Sequence, residues 1–353
     1  MATGQARPAG ERPDGTPFLV VGEVVTALVQ HSTPLTNPAC QEILRIRPGS
    51  TVRAATRPTP FAVSPATAVG VHCTLPTASG ARVEGVGTVV AQATVTGGRL
   101  VQTSARAVLS ARAFDYRAPW SYYLANPGLI EVRGRTDIDD LVRGCVSFVD
   151  GEAASSLDLG AVCTRLLDRV QRSPLLDRRR VLRAPRTRLR WVAVYSPAAR
   201  LAGGMPSGTV SPSAGESPPS VELVIHDDVT RSLVIGPTGA GDDRLGLLAE
   251  DVARHDWLLS TLLRFVDDQR SSAHVDGAGG HAVASLVDLF HLWMPGALVP
   301  AELATVWPEL EAGPAFSRQW VNLVGHVRDQ IALAGVTPTP PARRIPVMEP
   351  RLS

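Results

Sequence analysis

The chain contains no lysine, so all 35 of its cationic side chains other than histidine are arginines. Without a lysine amine, no Schiff base, no Ser–Lys dyad and no phosphate-loop lysine can form within it. Cysteine is scarce as well. Cys40, Cys73, Cys145 and Cys163 lie far apart and make no CxxC pattern, which argues against structural zinc and against a dense disulfide framework. They read as reduced, mostly buried thiols of a cytoplasmic protein. The apolar run "FLVVGEVVTALV" from Phe18 is too short to span a bilayer and contains Glu23, so it reads as a strand. The polar, Pro/Gly-rich stretch before it has no apolar signal-peptide region.

Several chemical signatures are missing too. GxSxG, HExxH and GxGxxG do not occur. His72 and Cys73 are neighbours on an expected strand, so they face opposite ways and cannot chelate one metal together. Asp137-x-Asp139-Asp140 lacks the Gly and Glu of an EF-hand loop and reads more simply as a helix start. No metal and no cofactor are expected. The net charge of +2 gives no bulk electrostatic reason to expect nucleic acid or an acidic membrane as a partner.

What is present describes a globular chain. Its 353 residues, 44% hydrophobic, suffice for two domains with cores. Residues 1–17 and 337–353 read as disordered tails, and the Gly/Ser/Pro-rich 203–220 as a flexible insertion. Residues 18–150 read as a β-rich domain, with strands over 68–75, 83–95 and 99–109. The pair Gly97-Gly98 marks a hairpin. A three-residue loop, Gly97–Arg99, sets Val95 opposite Val101, Ala91 opposite Ala105 and Val89 opposite Ala107, which keeps one apolar face continuous.

Residues 151–336 read as an α+β domain with a helical C-terminal part. A helix capped by Asp158 carries Leu159, Val162, Cys163, Leu166, Leu167 and Val170 at helical spacing. Strands over 186–195, 221–227 and 230–235 form a small antiparallel sheet, the last two joined through Asp227-Asp228. Helices follow over about 245–267, 283–294, 300–311 and 316–331. The fold class is therefore α+β: a β-rich N-terminal region, a small antiparallel sheet and a helical C-terminal part.

Three features invite a functional reading. "LVIGPTGAGDDRLG" has the Gly236-x-x-x-x-Gly241 spacing of a phosphate-binding loop, but Asp242 and Asp243 stand where Lys and Ser/Thr are needed. Carboxylates there repel an anion, whereas in the first turn of a helix they cap it and complement its dipole. The turn is P-loop-like but degenerate. Second, Arg178, Arg179, Arg180, Arg183, Arg186, Arg188 and Arg190 crowd into thirteen residues. They are the candidates for an anion or nucleic-acid site. The plainer reading puts the first three after a helix end and the last three on the solvated face of a strand, near Glu222. Third, His255 and Asp256 fall on the apolar side of a helix, where polar groups need partners. With Asp288 and His291, which can meet at i,i+3, they are the weak candidates for an acid–base site. Adjacent helical residues point about 100° apart, so His255 and Asp256 cannot readily bond each other. A tertiary structural hydrogen bond is the plainer role for His255.

Three stretches, "LPTASGARVEGVGTVVAQATVTGGRLVQTSA" (75–105), "RHDWLLSTLL" (254–263) and "HLWMPGALVPAEL…FSRQW" (291–320), together resemble an uncharacterised family of actinomycete proteins. Arginine in place of lysine, with abundant Ala, Val, Gly and Pro, fits such a GC-rich source. The resemblance carries over no catalytic residue. It implies encoding beside a variant P-loop protein and a methyltransferase-like protein. The leading expectation is a non-catalytic partner-binding, regulatory or scaffold protein. An enzyme assembled from dispersed His and Asp residues, and anion or nucleic-acid binding through the arginine cluster, are the alternatives.

Overall fold

Strand β1 (Thr16–Leu28), β5 (Val83–Thr96) and β6 (Leu100–Ala111) are long runs of Val, Ala, Thr and Gly with little polar alternation. A strand written this way has both of its faces covered. In the computed structural model, which describes residues 16–111, 117–134, 137–151, 156–179, 182–195, 220–271, 286–313 and 315–336, these three strands lie in the middle of one ten-stranded mixed sheet. The others are β2 (Arg53–Ala55), β3 (Phe61–Val63), β4 (Thr67–Leu75), β7 (Leu129–Arg133), β8 (Thr187–Tyr195), β9 (Ser220–Ile225) and β10 (Thr230–Thr238). The order runs β2-β3-β5-β7-β6-β1-β8-β10-β9, with β4 also on β5 and β5 also on β6.

The α+β class stands, and the hairpin register follows the apolar face: Val95 faces Val101 and Ala91 faces Ala105, with Gly97 and Gly98 both at positive φ in the loop. The three C-terminal strands do not make a sheet of their own. β8 lies antiparallel along β1, with Val24 opposite Leu189 and Val20 opposite Ala193, and parallel to β10. β9 and β10 form the expected hairpin. Its turn is fixed by Asp227 Oδ1, which accepts from the Val229 and Thr230 amides at 2.6 and 2.7 Å.

The helices divide by sheet face. On one face α1 (Asn37–Ile43), α3 (Ile138–Val149) and α4 (Leu159–Gln171) cover Val21, Val25, Ala105, Ala107 and Leu109. On the other, α5 (Asp242–Ser271), α6 (Val306–Ala312) and α7 (Phe316–Val336) cover Val20, Val24, Val108, Leu189, Trp191 and Leu233. A short α2 (Trp120–Ala125) packs near β5. The two large hydrophobic clusters lie on opposite faces of a shared sheet, and each draws on residues from both sides of position 150.

α4 begins as expected, with Asp158 accepting from the Ala161 amide at 2.8 Å. The helix expected over 283–294 is described only at 286–290, with turns after it. Pro17, assigned by composition to the tail, sits in β1 beside a register shift between Pro17 and Leu19, a place where a missing N–H is tolerated. Residues 1–15, 337–353 and all of 203–220 except Ser220, which opens β9, lie outside the described residues. Among the described residues, no helix is long and apolar enough to cross a membrane.

Candidate functional site

The degenerate phosphate-loop turn runs from the end of β10 into α5, whose first two residues are Asp242 and Asp243. Arg106 of β6 closes on both carboxylates, its Nε 3.0 Å from Asp242 Oδ2 and its Nη2 on Asp243 Oδ1. The positive pole of α5 is thus occupied by the chain's own acids, and those acids are matched by a buried arginine. An incoming phosphate would have to displace both carboxylates.

His255 is fully buried in α5. Its Nδ1 lies 2.7 Å from the Asp251 carbonyl and its Nε2 3.2 Å from the Met294 amide. One carbonyl and one N–H fix the neutral ring with its proton on Nδ1. The rings of Trp293 and Trp307 pack against it in T-shaped contacts, with ring centroids 4.8 and 5.2 Å away. Burial holds the imidazole pKa well below 6.5, and the nearby Arg254 adds to the shift. Asp251, one turn earlier, pairs with Arg254 and accepts from the Gly296 amide at 2.9 Å. His255 thereby ties the long helix to the 294–296 turn and lines neither of the cavities described below.

The other acid–base candidates do not join it. Asp256 points elsewhere, to Arg231 of β10 at 3.0 Å, with both side chains only 5% exposed. Burial raises its pKa, opposed by Arg231. Arg231 also reaches the Asp227 carbonyl and, at 3.1 Å, Ser260 Oγ. Asp288 pairs with Arg99 at 2.6 Å rather than with His291, which is exposed.

The arginine cluster splits. Arg188 and Arg190 are not on a solvated face, and their partner is not Glu222. β8 is an inner strand, and both side chains enter the α3–α4 face half-buried. Arg188 Nη2 meets Glu23 Oε1 at 2.6 Å, and Arg190 lies over the Phe148 ring at 5.7 Å. Gly160 of α4 leaves the room for that ion pair, since a Cβ there would collide with the Arg188 guanidinium. Arg178 is exposed, its amide donating to the Gln30 carbonyl at 3.0 Å, and Arg180 lies outside the described residues.

Arg179, Arg183 and Arg186 come together with Arg264 of α5 around a cleft of about 490 Å³. It sits where β1 ends and β8 begins, between the end of α4 and α5. None of its described lining residues is acidic. Arg179 and Arg183 are exposed, and their guanidinium groups meet no carboxylate among the described residues. Arg186 and Arg264 have only loose partners, Asp168 at 3.4 Å and Asp228 at 3.3 Å. The second cavity, lined by Glu23, Cys145 and Trp191, is a void of about 20 Å³, room for a water and no more.

All four cysteines are free and buried. Burial pushes Cys40 and Cys73 up to about 11 and Cys145 to about 12, so none is a thiolate nucleophile near neutral pH. Among the described residues no group of three His, Cys, Asp or Glu could hold a metal.

Sequence reasoning passed over Asp251 and Glu250, and gave Glu23 and Arg264 no place in a site. Asp251 had a signal, its i,i+3 and i,i+4 spacing from Arg254 and His255. Glu250 accepts from Gln92 and Ser104 across the sheet at 3.0 and 2.6 Å, a contact nothing local announces. In comparisons with known proteins, no family model, no curated protein and no solved structure matches this chain.

Proposed function

We propose that this is a non-catalytic binding protein whose contact site for an anionic partner is the arginine-lined cleft. The observation that carries the reading is four arginines converging on one cleft with no acidic lining residue. Elsewhere the buried arginines Arg99, Arg106, Arg231 and Arg254 each face a carboxylate. A cluster of four cations, two of them in only loose, exposed pairs with Asp168 and Asp228, raises the local potential and attracts anions. His255 and Asp256, by contrast, are engaged in bonds that hold α5 in place. The variant P-loop protein implied by the sequence resemblance is the protein partner to try first.

Heparin-agarose tests the reading with a generic polyanion. Arg179→Glu/Arg183→Glu should elute at clearly lower salt than the wild type. Arg47→Glu/Arg53→Glu makes the same charge change at exposed positions outside the cleft and should stay close to wild type. Equal shifts in the two double variants would remove the cleft as the site.

A further inference from the structure

Resting on the anionic-partner reading, we propose that the cleft takes a short acidic segment of a protein, with carboxylates on the arginine rim and an apolar side chain on its apolar lining. That lining includes Leu28, Val29, Leu182, Ala184 and Pro185, of which Leu28 and Ala184 are half-buried and the rest buried. It gives an Asp- or Glu-rich peptide with an interspersed Leu or Val something to bury, and gives a bare phosphate nothing. The volume, about 490 Å³, is that of a small-molecule site, so it admits a few residues of chain rather than a folded surface.

Two other kinds of anion fit less well. Single-stranded nucleic acid is held by aromatic side chains on which its bases stack, and no described lining residue is aromatic. A small polar metabolite is oriented by a few precisely placed polar groups, and apart from the arginines the described lining offers only the side chains of Gln30 and Gln171 for this. The amide of Gln171 is already committed, donating to the Leu28 carbonyl at 2.8 Å and accepting from the Gln30 amide at 3.1 Å.

The rim suits carboxylates. A guanidinium fork matches a carboxylate in two parallel bonds. The exposed pairs of Arg186 with Asp168 and Arg264 with Asp228 are weak enough for an incoming carboxylate to replace. The backbone at one end of the rim is also held before binding. Asp177 accepts from the Ser32 and Arg179 amides at 3.1 and 2.9 Å, which pins the 177–179 turn to the loop after β1. Its bonds to Ser32 and to the Arg179 amide keep its carboxyl ionised, with a pKa of about 2. Preorganisation of this kind lowers the entropy lost on binding.

Fluorescence anisotropy with three probes tests this. They are a labelled peptide with Asp or Glu at two of every three positions and Leu at the third, labelled oligo-dT of similar length, and inorganic tripolyphosphate as competitor. The peptide should bind saturably, more tightly than oligo-dT, and Arg183→Glu should weaken it roughly tenfold or more, about the loss of one strong charged contact. Arg53→Glu should not. If oligo-dT binds more tightly and loses its binding in Arg183→Glu, the acidic-segment inference is overturned while the anion reading stands. Tripolyphosphate binding without peptide binding has the same meaning. If no probe binds, both fail.

Discussion

Two groups of arginines in this chain carry the same charge under opposite conditions. Arg99, Arg106, Arg231 and Arg254 lie between the sheet and its α5-side cover, each no more than 7% exposed and each set against a carboxylate. Arg179 and Arg183 stand exposed at the sheet's end and face none among the described residues. Burying a guanidinium is tolerable only with a matched partner, so the first group reports on how the fold is held together. The second group has no such obligation inside the chain, which leaves it for something outside.

The comparison can be broken most forcefully at Asp256. Asp256→Ala leaves Arg231 buried and uncompensated, and should lower stability by about 3–5 kcal/mol in urea denaturation. A loss under about 1 kcal/mol would mean that water already reaches the pair and that the inner group is not structurally distinct.

His255 sharpens the same point with a smaller effect. His255→Ala orphans the Met294 amide and should cost about 1–3 kcal/mol. The pH dependence follows from the direction of its shift. Its folded pKa lies well below 6.5, so below about pH 6.5 the unfolded chain binds the proton more readily. The stability it contributes is complete above that pH and falls away as the solution is acidified. Removing the ring should flatten this limb by up to about 1.4 kcal/mol per pH unit. Parallel curves for wild type and variant between pH 5 and 7 would contradict a buried neutral histidine.

Much of the local structure was legible. Loop length and apolar facing together specify the Gly97–Arg99 hairpin register, because a one-residue slip would turn Val95 and Ala91 out of the core. The start of α4 was legible through Asp158, and the acidic first turn of α5 through Asp242 and Asp243. What was not legible is nonlocal. Nothing in residues 187–195 says that they pair with β1, more than 160 residues earlier. The alternation of Arg186, Arg188 and Arg190 with Thr187, Leu189 and Trp191 looks like an outer strand, yet the strand is an inner one. The glycine opposite it and Glu23 on its neighbour are what make room for charge there. The cleft could not be foreseen for the same reason. Arg264 lies 78 residues beyond Arg186 in sequence, and only the packing of α5 brings them to one opening.

At the outer arginines the expected effect on stability is the smallest. Arg183→Glu should leave the unfolding free energy from urea denaturation within about 0.5 kcal/mol of wild type, as befits an exposed side chain with no partner to orphan.

The central claim, that the outer arginines bind and the inner ones only build, is tested most directly by thermal melts with and without heparin. A ligand that binds the folded state alone raises its stability, by about 2.7 kcal/mol at a hundredfold excess over Kd. Heparin should raise the Tm of the wild type clearly more than that of Arg179→Glu/Arg183→Glu. Equal stabilisation of both proteins, or of neither, would contradict the account.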